Sequence, residues 1–136
     1  TNPYEYIHTI VPNHKLSLCK YKPLSRSFFK MIEIIDTFDF LNEKHNIKSF
    51  HLAEGPGGFM EAIDYLRKDI DNNDIYYGIT LIDENINIPS WKKSKILMDN
   101  PKFIIEYGLS KDGNLFKKIN LLHYYQKMYN CLVYHN

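Results

Sequence analysis

The spacing of apolar side chains changes period several times along the chain. Phe28, Met31, Ile32, Ile35 and Phe38 recur at three- and four-residue intervals, with Ser25 or Ser27 available as N-cap and Glu33 early in the helix, and predict a helix over about 26–44. The mostly apolar segment 49–53 then runs into Glu54-Gly55-Pro56-Gly57-Gly58, a string no helix tolerates, so it reads as a strand followed by a turn. Phe59, Ala62, Ile63, Leu66 and Ile70 restore helical spacing until Asp71-Asn72-Asn73 stops it. Residues 75–82 predict a second buried strand, followed by a polar loop to Pro89, a short helix over 91–98 and a third strand over 103–107 closed by Gly108. A helix over roughly 116–127 and a short fourth strand over 131–134 complete the pattern. Alternation of this kind predicts an α/β fold with a largely parallel sheet that stops after its fourth strand.

Residues 1–24 contain Pro3, Pro12 and Pro23 and lack periodicity, so they read as an irregular N-terminal arm, with 25–136 as the folded unit. A chain of 136 residues, 44% of them hydrophobic, fits one core and leaves little room for two. Its first residue is Thr1, not Met, as in a piece of a longer chain. The bias to Lys (15) over Arg (2), with Ile and Asn abundant, suggests an AT-rich coding sequence and speaks of origin more than function. A formal net charge of +1 gives no bulk field that selects nucleic acid or an anionic membrane, so any electrostatic footprint must be local. Cys19 and Cys131 form no CxxC pair and the six histidines lack zinc-ligand spacing, which predicts a reduced, intracellular, cytoplasmic protein without a structural metal. No apolar run approaches the roughly 20 residues of a membrane span, so no membrane partner is expected.

Candidate chemistry concentrates at the first strand-to-helix turn, the usual ligand position of an open α/β sheet. Glycines at 55, 57 and 58 allow backbone to approach a ligand and amides to face an anionic group at the N-terminus of the following helix, while Pro56 stiffens the turn. The spacing is neither GxGxxG nor a P-loop, which weakens NAD and ATP as ligands. A tight connection with no ligand explains the glycines equally well.

The string His51-Leu52-Ala53-Glu54-Gly55-Pro56-Gly57-Gly58-Phe59 resembles the S-adenosylmethionine motif of FtsJ-like (RrmJ-like) ribose 2'-O-methyltransferases, especially the mRNA cap branch with its viral members. Ser25-Arg26-Ser27-Phe28-Phe29-Lys30-Met31 is similar to the helix that carries the first lysine of that family's Lys-Asp-Lys-Glu set. Gly78-Ile79-Thr80-Leu81 resembles the end of its second strand, and 108–115 its glycine-containing loop. The resemblance covers about 25–136 and implies a Rossmann-like S-adenosylmethionine-dependent methyltransferase fold. It further implies that Glu54, Gly55, Pro56, Gly57, Gly58 and Phe59 hold the methionine part of the cofactor, with Glu54 beside its ammonium. By the same resemblance Asp83 is placed for the ribose hydroxyls, and Asp112 or Asn114 for the adenine amine, or these are solvated loop residues. Lys30 would stand at the catalytic edge, where a lysine of depressed pKa helps deprotonate a ribose hydroxyl.

Aligning 129–136 to the family's fourth strand puts His135 where the family has Asp, and the second Lys and the Glu find no counterpart. The expectation is therefore a front half with little or no methyltransferase activity alone. Two stretches without acids, one holding Lys15, Lys20, Lys22, Arg26 and Lys30 among aromatics and one holding Lys92, Lys93 and Lys95 beside Trp91, are candidate RNA surfaces; Lys22, Arg26, Lys92 and Lys93 are the contacts expected there. Capped mRNA is the expected partner. A protein partner or a second copy at an exposed sheet edge is the further one. The competing readings are a noncatalytic, degenerate module of the same fold that binds RNA or protein, and an unrelated α/β domain whose turn binds phosphate.

Overall fold

The computed structural model describes residues 4, 6–7, 19–41, 45–70 and 73–133. Helix α1 spans Ser27–Phe38, strand β1 Lys48–Leu52, helix α2 Gly58–Arg67, strand β2 Ile75–Ile79, helix α3 Lys95–Met98, strand β3 Phe103–Glu106 and helix α4 Lys118–Val133. The strands form one parallel sheet in the order β1-β2-β3, with His51 opposite Gly78 and Gly78 opposite Ile105. This is the Rossmann-like α/β arrangement with a parallel sheet that the sequence predicts.

Strand alternation divides the core in two. Tyr76 and Phe103 face α1, α2 and α3, where Phe28, Met31, Ile35, Met60, Ile63, Trp91 and Leu97 bury their side chains. Tyr77 and Ile79 face the other way, onto Tyr124 of α4, with Phe50 and Leu115 at the margin. Phe50 and Tyr77 stack nearly parallel with ring centroids 4.6 Å apart. At the N-terminal end of the sheet the buried Arg67 and Asp74 side chains join the end of α2 to the start of β2.

Four features depart from the sequence reading. Helix α1 ends at Phe38 because Asp39 turns left-handed at φ 51° and its N–H returns to Ile35 O. Its N-cap is Arg26, and the hydroxyls of Ser25 and Ser27 bond to each other instead. The segment 91–98 divides into a single 3-10 turn, Trp91–Lys93, and α3. The expected fourth strand does not form: Cys131 to Val133 continue α4, since Tyr124 and Cys131 lie seven residues apart on the helix face that packs on Tyr77 and Ile79. A short apolar triplet suits either period, and packing on the sheet decided it. Tyr134 and His135 lie outside the described residues, so the alignment that put His135 at a catalytic position loses the strand it rested on. No helix among the described residues is long and apolar enough to cross a membrane.

Candidate functional site

The glycine turn links the C-terminal end of β1 to α2, as the sequence predicts, and it is tied to both neighbours. Glu54 N–H donates to Ile79 O of β2 at 3.1 Å, and the Ser94 hydroxyl, just before α3, donates to Pro56 O. The backbone passes through a left-handed Ala53 at φ 54°, a cis Gly55-Pro56 peptide and Gly57 at φ 112°. At Gly57 a side chain is excluded twice, by that φ and by Leu97 Cδ1, which lies 2.2 Å from where a Cβ would stand. Gly58 backs onto the hydroxyls of Ser25 and Ser27, so the turn also seats the N-terminus of α1. All three glycines thus make room for the protein's own atoms: a Cβ at Gly55 would stand 2.8 Å from Thr80 Cγ2 and 3.0 Å from Ser90 Cα, although the residue also lines a cleft.

Glu54 reaches under the turn. Its Oε1 accepts the N–H groups of Phe59 and Met60 at 2.8 and 3.0 Å, first-turn amides of α2 that the glycine N-cap cannot satisfy. Among the described residues no hydrogen bond uses Oε2, which faces His51 Nδ1 at 3.9 Å. Burial pushes the Glu54 carboxyl up to about 7 against the pull of the two amides. Burial also drives the His51 imidazole down to about 4, leaving it neutral at pH 7, with Nε2 paired to Ser49 Oγ at 2.8 Å. A carboxylate with one oxygen fixed by amides and the other uncommitted suits a ligand cation.

Beside this turn a cleft of about 390 Å³ opens at the C-terminal ends of β1 and β2, a volume in the range of small-ligand sites, roughly 300–1,000 Å³. It is lined by Ala53 and Gly55 after β1, Thr80 and Leu81 after β2, Ile88 and Pro89 of the loop that follows, and Gly113, Asn114, Leu115 and Phe116 of the loop before α4. Ser90 Oγ and Trp91 Nε1, next to the turn, are buried without a hydrogen-bond partner among the described residues.

The remaining candidates separate. Asp112 organises its own loop: Oδ1 accepts from Ser110 Oγ, Asn114 N–H and Asn120 Nδ2, and Oδ2 receives Lys117 Nζ, which together hold its carboxyl well below the usual range. Asp83 accepts Asn85 N–H in a local turn and does not line the cleft, whereas Asn114 does. Lys30 is exposed on α1, with the Tyr4 ring 5.7 Å from Nζ. Lys22, Arg26 and Lys92 are exposed, and Lys92 Nζ donates to Glu84 O at 3.3 Å; the Lys93 side chain lies outside the described residues. Sequence reasoning missed the wall residues Ile88, Pro89 and Phe116. They carry no residue-type signal, and only the folding of two loops against the strand ends brings them together.

The sequence model of the FtsJ-like methyltransferase family matches residues 23–124, most of the chain. No curated protein matches it.

Proposed function

The chain belongs to the FtsJ-like methyltransferase family, a family of S-adenosylmethionine-dependent enzymes, and from that premise we propose that it is an RNA ribose 2'-O-methyltransferase domain of the mRNA cap branch. The observation that carries this reading is the cleft at the β1 and β2 ends, with Gly55 in its lining, beside a turn whose Glu54 Oε2 takes no hydrogen bond among the described residues. In this reading the turn from Glu54 to Phe59 holds the methionine end of the cofactor, with Oε2 taking its ammonium. Asn114 is the better adenine contact than Asp112, whose carboxylate its own loop already occupies. Bound S-adenosylmethionine supplies an electrophilic methyl group. The chain must then align a ribose hydroxyl and help remove its proton.

Lys30 is proposed for the catalytic edge because α1 starts against Gly58 and brings the lysine to within about one helical turn of that contact. Lys22, Arg26, Lys92 and Lys93 are proposed to meet RNA phosphates. One observation favours a noncatalytic module instead: Glu54 Oε1 and the space at Gly57 and Gly58 serve α2, Leu97 and α1, so folding alone accounts for much of the motif.

Calorimetric titration with S-adenosylhomocysteine, with Gly57→Arg as control, separates the two. Binding that the control loses supports the cofactor site. A folded chain that does not bind leaves the noncatalytic reading in possession. Methyl transfer to capped RNA, lost on Lys30→Ala, tests the finer assignment; equal transfer to uncapped RNA would remove the cap from it.

A further inference from the structure

Strand β1 is an edge of the sheet, since among the described residues it pairs with β2 alone. Ile75 N–H donates to Ile47 O at 3.0 Å, and in a parallel pair alternate residues direct both backbone groups to the same neighbour, so Ile47, Ser49 and His51 face β2. The N–H and C=O of Phe50 and Leu52 therefore point outward, off the sheet. Their side chains lie on the face that α4 covers: the Tyr124 ring meets Phe50 edge-on at 5.7 Å, yet Leu52 beside it is 54% exposed. Edges of this kind are guarded in natural proteins by charge, proline or a bulge, and Phe50 and Leu52 supply none of these.

Helix α4 adds a second open surface on the same side. At about 100° per residue, with Tyr124 pointing at the sheet, Asn120 and Lys127 turn to one flank and Leu121 and Tyr125 to the other. The first flank is the β3 side, because Lys127 Nζ reaches Glu106 Oε1 at the end of β3 and Asn120 bonds Ser110 just beyond it. Leu121 and Tyr125 therefore lie on the β1 side, and with Leu122 and Tyr129 on the outer face they are 43% to 58% exposed. From Ile119 to Gln126 the helix carries no Asp, Glu, Lys or Arg, so no charge on this flank selects a foreign partner. A formal net charge of +1 leaves little repulsion between copies of the chain.

We propose that the occupant is a second copy of the chain, joined β1 to β1 in antiparallel sense across a two-fold axis perpendicular to the sheet. Only an antiparallel pairing keeps both α4 helices on one face, so a single operation closes both surfaces. Phe50 and Leu52 exchange hydrogen bonds with Leu52 and Phe50 of the second copy, and the Leu121 and Tyr125 flanks meet above the seam. Such an interface is isologous and stops at a dimer. The two glycine turns, each at the C-terminal end of its own β1, come to lie at opposite ends of the joined sheet. The inference stands independently of the cofactor reading.

Sedimentation velocity of the full chain, from low micromolar to about 100 μM, should show a concentration-dependent shift to twice the monomer mass of 16.2 kDa. Leu52→Lys puts a charge on the edge and Tyr125→Glu puts one on the flank. Each should weaken the dimer about tenfold or more, while Asn130→Glu, on the β3 flank, leaves it unchanged. Far-UV circular dichroism checks that the variants fold. Hydrogen exchange on the unsubstituted chain reads the same interface directly: the Phe50 and Leu52 amides should exchange slowly at high concentration and quickly on dilution, whereas those of Ser49 and His51, bonded to β2, stay protected at both. A chain that stays monomeric throughout overturns the proposal, and so does a series of ever larger species, which a closed two-fold does not allow. A dimer that tolerates both variants, or whose Phe50 and Leu52 amides exchange at one rate at every concentration, overturns this interface.

Discussion

Two buried carboxylates stand at opposite ends of the same sheet, and their surroundings differ in kind. Asp74, at the N-terminal end, receives Arg67 Nε at 2.6 Å and Nη2 at 3.1 Å, Tyr76 OH at 3.0 Å and Ile47 N–H at 2.8 Å. Those donors hold its carboxyl below the ordinary range despite burial. Glu54, at the C-terminal end, has two amides on one oxygen and a neutral imidazole 3.9 Å from the other, and burial prevails. Burial alone therefore does not mark a functional acid. The partner does: a guanidinium completes Asp74 as part of the frame, whereas the amides leave Glu54 Oε2 without a hydrogen bond among the described residues.

The frame end should break hardest. Arg67→Met leaves Asp74 without its cation and is expected to cost about 3–5 kcal/mol in a urea melt at neutral pH. The folded pKa of Asp74 lies below its unfolded value, so the stability it contributes is present above the unfolded value and lost as pH falls through the folded one. The penalty of Arg67→Met should accordingly shrink in acid. Adding Asp74→Asn, which keeps an oxygen for Ile47 N–H, should recover part of the loss. The protein that remains folded should bind S-adenosylhomocysteine as the wild type does; a lost affinity would mean that the two ends are coupled.

The site end should break in the reverse proportion. Gly57→Ala forces a side chain to φ 112° and against Leu97, a strain of about 1–3 kcal/mol. That is less than Arg67→Met costs, yet ligand binding should fall well below what the melt alone explains. Calorimetry beside thermal denaturation measures both. A variant that melts early but binds normally would make Gly57 part of the frame like Arg67.

The sequence made the frame's elements legible more readily than the site's walls. Phe28, Met31 and Ile35, and Met60 with Ile63, carry helical spacing because one face must be buried, so the start of α1, the strand β1 and α2 were readable to within a few residues, while the end of α1 was set six residues too late. The glycine turn was legible for the same local reason, since φ 112° restricts what Gly57 can be. The segment 131–133 was not, because three apolar residues satisfy strand and helix alike until Tyr77 and Ile79 are in position to receive Cys131 and Tyr124. Nor was the role of Asp112, whose donors Ser110, Lys117 and Asn120 look like any polar loop until it closes. Glu54 was picked out as a ligand contact, but its cap on Phe59 and Met60 depends on a turn geometry that residue spacing does not encode.

The smallest effect gives the sharpest form of the comparison. Glu54 has a folded value of about 7 against an ordinary 4.5, so between these the folded chain holds a proton that the unfolded chain has released, and stability falls as pH rises. His51 has a folded value of about 4 against 6.5, so there the unfolded chain holds the extra proton, and stability rises with pH. Over the shared window the two slopes oppose each other and largely cancel. Glu54→Gln should expose the His51 slope, giving a chain that loses stability on acidification from pH 6.5 toward 4.5. His51→Asn should expose the opposite slope. Urea melts across this range read both directly, and two variants as flat as the wild type would remove the pair from the titration. Ligand then distinguishes the site from the frame. An ammonium at Oε2 requires the charged carboxylate, so S-adenosylhomocysteine affinity should rise from pH 5 to 7.5 in the wild type and stay nearly level in Glu54→Gln. The Asp74 end predicts no such dependence, because its carboxylate is already charged and paired throughout that range.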